Sequence, residues 1–171
     1  VEQYGLSVPF IRPTELATDT AGSYGVLLHA LSFYESKGEH FDAVVLLQVT
    51  SPFRTVNHVR EALNLYNKDL DMVVSVKETD SNPYYLCFEE DTEGMLHISK
   101  GDGHYTRRQD CPPVYEYNGA IYIINPERMK AMPLNKFKKR VKYVMDREHS
   151  VDLDTMMDWM IAEYMITNKL V

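Results

Sequence analysis

Apolar positions along the chain change period several times, and the order of the changes predicts the architecture. Residues 8–11 (VPFI) form a short apolar run closed by Pro13 and predict a strand. Between residues 22 and 37, Val26, Leu27, Ala30, Leu31 and Tyr34 recur at helical spacing, with Gly38 as a stop signal. Residues 42–49 (DAVVLLQV) are almost continuously apolar, the pattern of a strand buried on both faces between helix layers. Residues 55–68 predict a second helix with Val59, Ala62, Leu63 and Tyr66 inward, and residues 71–76 (DMVVSV) a further buried strand. Strand, helix, strand, helix, strand is the order of an α/β protein with a doubly wound, mostly parallel sheet.

The second half reads differently. Residues 84–88 and 95–99 predict short strands joined by an acidic turn, and the glycines at 101 and 103 open a polar loop. Residues 114–117 and 120–124 predict strands broken by Asn118-Gly119, a dipeptide that marks either a hairpin turn or a functional bend. Residues 140–145 predict another strand. Residues 153–170 predict a final helix with a Leu153, Met157, Met160, Tyr164 stripe. One domain over 1–171, with an inserted β-rich subregion at about 80–117, fits this succession.

Composition narrows the function classes. The formal net charge is −7, whereas a protein that coats nucleic acid or an anionic membrane needs a surplus of Lys and Arg. No apolar run approaches the roughly 20 residues that span a bilayer. The two cysteines, Cys87 and Cys111, form no C-x-x-C pair, and read as free thiols in a reducing cytoplasm. The six histidines show no i, i+3 or i, i+4 pair of the kind that holds zinc.

Four stretches carry candidate chemistry. Gln48 ends an apolar run and leads through residues 49–55 (VTSPFRT) into a helix. Ligands of open α/β sheets bind at that strand edge, and a helix N-terminus offers free N–H groups. A Thr/Ser cap with Arg54 as a solvated charge would account for most of the stretch. Gln48 still needs a partner. Asp152 and Asp154, spaced i, i+2, could together hold Mg²⁺, although an Asp before a helix is more commonly its cap. Arg107-Arg108-Gln109 offers guanidinium forks to a carboxylate or phosphate, or is a solvated turn. Asn118-Gly119 is the fourth.

Taken in series, residues 12–20 (RPTELATDT), 46–55 (LLQVTSPFRT), 118–122 (NGAIY) and 152–155 (DLDT) resemble the acylneuraminate cytidylyltransferases. The resemblance extends over essentially the whole chain. It implies a nucleotide-diphospho-sugar transferase-like fold, a cytoplasmic enzyme, and transfer of CMP from CTP to an acidic nine-carbon sugar with release of pyrophosphate. Position by position, it assigns Asp152 and Asp154 to Mg²⁺, Arg12 and Ser23 to the nucleotide, and Gln48 and Asn118 to the sugar. Catalysis would then rest on Asp152, Asp154 and Gln48. Arg108 would reach the sugar carboxylate in a neighbouring subunit, making the 80–117 subregion the contact of a homodimer.

The departures from the family pattern bear on the acceptor. Glu116-Tyr117 stands where relatives specific for N-acetylneuraminate carry an arginine before Asn-Gly, Tyr85 stands where a lysine occurs, and residues 135–137 (NKF) lack paired aromatics. A legionaminate-type or deaminated acid is therefore a second candidate acceptor. The chain opens with Val1 and shows no Arg/Gly/Ser/Lys-rich phosphate loop, so by itself it is expected to be catalytically incomplete. Two rival readings are a non-catalytic sugar-binding module that dimerises, and a metal-dependent glycosyltransferase built on the Asp-Leu-Asp.

Overall fold

The computed structural model of the protein describes residues 2–18 and 22–171. In chain order its elements are α1 (Ser23–Glu35), β1 (Val44–Leu47), α2 (Val56–Leu65), β2 (Met72–Glu78), β3 (Phe88–Glu90), β4 (Leu96–Ile98), β5 (Tyr115–Ile124), α3 (Pro126–Ala131), β6 (Arg140–Val144) and α4 (Met156–Thr167). Four strands make the central sheet in the order β1-β5-β2-β6, and β3 pairs with β4 in a separate hairpin. β6 is parallel to β2, while β5 is antiparallel to both β1 and β2. The sheet is therefore mixed. β1, β2 and β6 share one direction and β5 is reversed between the first two. A parallel return needs a long crossover, usually a helix. Between β2 and β5 the chain builds only the hairpin and a short 3-10 turn, so it comes back antiparallel, with Tyr115 opposite Glu78.

Helices cover both faces, as a doubly wound sheet requires. Leu27 and Leu31 of α1 and Met129 of α3 pack on Met72, Val74 and Ile124. Ala62 of α2 packs on Val73, Ile121 and Ile123. Val73, Ile121, Ile123 and Ile124 are wholly buried. Each such side chain contributes roughly 1.5–3 kcal/mol of transfer free energy, so the middle of the sheet holds the molecule together.

Several sequence expectations change here. Residues 8–11 form no strand, and Ile11 is 91% exposed. Pro9 and Pro13 lack N–H donors, and a lone apolar run without a ladder partner cannot satisfy its backbone. β1 is an edge strand with alternating burial, not buried on both faces. Asn118-Gly119 makes no hairpin turn, because β5 runs unbroken through it. The predicted stripe on α4 faces outward, with Met157, Met160 and Tyr164 exposed and Ala162 and Met165 buried instead. A helix apolar on every side gives periodicity nothing to select. α3 was not predicted, although Asn125-Pro126 is a helix-start signature: the Asn125 side chain accepts from Glu127 N and Arg128 N.

Candidate functional site

The β2–β5 ladder slips between Val74 and Val76: Val74 faces Tyr122, but Val76 faces Tyr117. The extra residues of β5 bulge out around Asn118 and Gly119, whose φ is +75°. Bulges re-aim a strand and favour glycine at positive φ. Buried side chains replace the missing ladder bonds. Ser75 Oγ donates to Asn118 Oδ1 at 2.6 Å and accepts from Ile121 N at 2.7 Å. Asn118 Oδ1 also accepts from Ala120 N at 3.2 Å, and its Nδ2 donates to Ser150 Oγ at 2.9 Å. Asn118 is thus buried and engaged on both sides of its amide.

The loop after β1 is bound to the bulge. Arg54 Nη1 donates to the carbonyls of Gln48, Ser51 (3.0 Å) and Ala120 (3.4 Å). Partial burial holds the guanidinium pKa below its ordinary value. Arg54 is a clamp rather than a solvated charge. Ser51, itself fully buried, donates to the Asn118 carbonyl at 3.4 Å. Leu153 N donates to Thr50 O at 2.8 Å, which brings the Asp152–Asp154 segment alongside the same loop.

These contacts converge on Gly119. A Cβ there would lie 2.7 Å from Gln48 Oε1, 3.1 Å from Asp152 Oδ2 and 3.3 Å from Ser51 Oγ. Gln48, Asn118 and Asp152 are therefore gathered at one point, just past the C-terminal end of β1 and level with the β5 bulge opposite the middle of β2. The helix-cap explanation of the two aspartates does not hold. Thr155 is the N-cap of α4, accepting from Asp158 N at 3.3 Å, and the Asp158 side chain accepts in return from Thr155 N at 2.7 Å. Asp152 Oδ1 is buried and has no hydrogen-bond partner. That absence holds among the described residues, and a buried acceptor of this kind is open to a donor or a cation.

That acceptor fits a hard divalent cation. Mg²⁺ takes one or two carboxylates and completes its shell with water and substrate phosphate. Asp154 is exposed two residues on. Among the described residues no three His, Cys, Asp or Glu side chains converge to hold a metal ion.

The remaining candidates lie elsewhere. Ser23 is the first residue of α1, and Arg12 is exposed in the segment before it. Asp19 and Thr20, the end of the 12–20 stretch, lie outside the described residues, as does Val1. Arg108 pairs with Asp80 of its own chain at 2.9 Å, and Arg147 meets the same carboxylate. Both arginines line a cavity of ≈ 470 Å³ with Thr79, Asn82 and Gln109. Glu116 is bound by Lys77 at 3.2 Å and by the Thr79 hydroxyl at 2.9 Å. A second cavity of ≈ 350 Å³ is lined by Met72, Tyr117, Tyr122, Leu134, Asn135 and Arg140. Burial first, then Tyr117 and Asp152, push the Tyr122 hydroxyl pKa up, so it remains a proton donor. Sequence reading held Ser51 only as part of the 49–55 stretch and missed Ser75 and Ser150. The only signal was a hydroxyl within, or beside, an apolar run.

No family model matches the chain. The solved structure of CMP:2-keto-3-deoxy-manno-octonic acid synthetase complexed with CTP is similar in shape, with a TM-score of 0.55 and 12% identity over 88% of this chain and 70% of that one. The mixed sheet with helices on both faces thus shares the α/β fold of that structure. In sequence, the chain is 39% identical over 156 residues to N-acylneuraminate cytidylyltransferase of Streptococcus agalactiae serotype V, matching 91% of this chain and 36% of that protein. It is 31% identical over 174 residues to CMP-N,N'-diacetyllegionaminic acid synthase of Legionella pneumophila, matching 94% of this chain and 69% of that protein. The chain belongs to the acylneuraminate cytidylyltransferase family. It spans little more than a third of the length of the streptococcal relative, at 36%.

Proposed function

We propose that the Gln48–Gly119–Asp152 cluster is the acceptor-sugar and metal side of a cytidylyltransferase site, which transfers CMP from CTP to an acidic nine-carbon 2-keto sugar. In that reaction the anomeric hydroxyl of the sugar attacks the α-phosphorus of CTP. The new O–P bond forms as the bond to the β-phosphate oxygen breaks, and pyrophosphate leaves. The observation that carries the reading is the close approach of Gln48 Oε1 and Asp152 Oδ2 to Gly119, with the other Asp152 oxygen, Oδ1, buried and without a partner among the described residues. Asp152 and Asp154 would hold Mg²⁺, which when bound supplies neutralising charge to the phosphates. The Gln48 carboxamide, on a backbone whose carbonyl the Arg54 clamp holds, orients the sugar beside Asn118-Gly119. Arg12 and Ser23 lie on the nucleotide side.

The same reading makes the 80–117 subregion, with its β3–β4 hairpin, the contact of a homodimer in which Arg108 serves the partner's sugar carboxylate. The single-domain organisation over 1–171 and a cytoplasmic location belong with it, since Cys87 and Cys111 are both free thiols. Lys77 and Thr79 bind Glu116 within the chain. That engagement leaves the Glu116 position without a cationic arm for the acceptor, which favours a legionaminate-type or deaminated acid over N-acetylneuraminate.

The test is pyrophosphate release from CTP and Mg²⁺ with a panel of nonulosonic acids, on this chain and on the whole product of its gene. Asp152→Ala should lower kcat/KM by about 10²-fold or more, equivalent to about 2.7 kcal/mol of transition-state stabilisation. Unchanged turnover in that variant, or no turnover by either protein with any acid, would overturn the proposal.

A further inference from the structure

We infer that Ser75, in the middle of β2, is a positioning residue that sets the gap between Gln48 and Asp152 by locking the Asn118–Gly119 bulge. The inference rests on the reading of that gap as the reacting site, and deepens it. Ser75 is 1% exposed and sits where the ladder slips. Its hydroxyl fills the place of a ladder carbonyl by accepting from Ile121 N, and with its own proton it fixes Asn118 Oδ1. The orientation of the Asn118 amide follows: Oδ1 turns to Ser75 and Ala120 N, and Nδ2 turns to Ser150. Ser150 lies two residues before Asp152. The Asn118 carbonyl in turn takes the Ser51 hydroxyl, in the loop that carries Gln48.

A single buried relay, Ser75 to Asn118 to Ser150, therefore reaches both walls of the Gly119 space from a strand that lines neither. Valine or alanine would fill the position better in an apolar strand. A hydroxyl there is retained at a cost unless both its bonds are made, and both are made. Lost at either end, the relay would free the bulge to relax toward a regular ladder, which would move Gly119 away from Gln48 and Asp152.

The experiment compares Ser75→Ala and Ser150→Ala in the whole gene product, using amide hydrogen exchange and the side-chain amide NMR signal of Gln48. In Ser75→Ala the Ile121 amide should exchange about tenfold faster, as for one lost internal hydrogen bond. Protection over residues 146–154 should fall with it and the Gln48 signal should shift, while Ile124 in the same strand stays as in the wild type. Ser150→Ala releases Asn118 from its other amide end, and keeps the test open if Ser75→Ala folds poorly. It should reproduce the changes at Gln48 and 146–154 without the loss at Ile121. Faster exchange at Ile121 alone, with Gln48 and residues 146–154 unmoved in both variants, would make Ser75 merely structural and overturn the inference. These readouts need no turnover, so failure of the Asp152→Ala test would strike the proposed reaction and leave the relay to be judged separately.

Discussion

Gly119 shows how much one missing side chain determines. Its φ of +75° costs an L-residue about 1–2 kcal/mol, and a Cβ would meet Gln48 Oε1 at 2.7 Å. Gly119→Ala should therefore unfold a few degrees earlier and, if the proposed reaction holds, lose at least about 10²-fold in kcat/KM, because the methyl displaces Gln48 Oε1 and Asp152 Oδ2. Equal losses of stability and activity in a remote variant of matched stability would contradict this. Asp71 is a second residue with a definite charge story. Its Oδ2 accepts from Lys138 N and Lys139 N, and those bonds, with Arg128 nearby, hold its pKa below the ordinary range. A carboxylate with a depressed pKa stabilises the fold above the unfolded value of about 3.9, and that contribution disappears as pH falls through the folded value. Asp71→Ala should cost about 1–3 kcal/mol in urea unfolding at pH 7 and much less near pH 3. At this scale the sequence singled out Gln48, a polar group ending an apolar run, and Asp152, and the structure brings these two together at Gly119, while Asp154 stands exposed. Ser75 was not legible. Nothing in VVSV distinguishes a hydroxyl that plugs a bulge from one that merely fills a strand.

Among the elements, α2 begins with a reciprocal cap that depends on an uncharged histidine. Thr55 N donates to His58 Nδ1 at 3.2 Å, and His58 N donates to Thr55 Oγ1 at 3.3 Å. Burial, then the His149 ring beside it, push the His58 pKa below 6.5. Because the folded protein binds that proton less readily than the unfolded chain, the contribution is complete above about pH 6.5 and fades as pH falls through the lower folded value. The Thr55 amide should lose exchange protection as the solution is acidified through that range, and His58→Gln should flatten the dependence. A protection factor constant from pH 7.5 to 5 would refute the role. The start of α2 was readable because Thr55 is a strong N-cap, whereas that of α4 was not, since the aspartates of Asp152-Leu153-Asp154 compete with Thr155 as caps and only the structure shows Thr155 making the bonds. The burial of α4 was not readable, since its apolar residues surround the axis and only packing decides which of them is covered.

For the whole molecule, the predicted α/β architecture and the covering of both sheet faces were legible in the alternation of apolar runs with helical spacing. The reversal of β5 was not, because strand direction depends on whether the intervening chain crosses the sheet, and the two short strands read between residues 84 and 99 do not say on which side the chain returns. The hairpin they form pairs only with itself, and Phe88 and Leu96 are more than half exposed. Its amides should exchange by local opening, well before those of β2 and β5. Equal protection in both sheets would show that the hairpin belongs to the central cooperative unit. The position of β5 has a further consequence, for synthesis on the ribosome. β1 and β2 have no ladder with each other, and each waits for a strand that begins at Tyr115. Until that segment emerges from the exit tunnel, the nascent chain holds two apolar strands with unpaired edges, the condition in which chaperones are most needed.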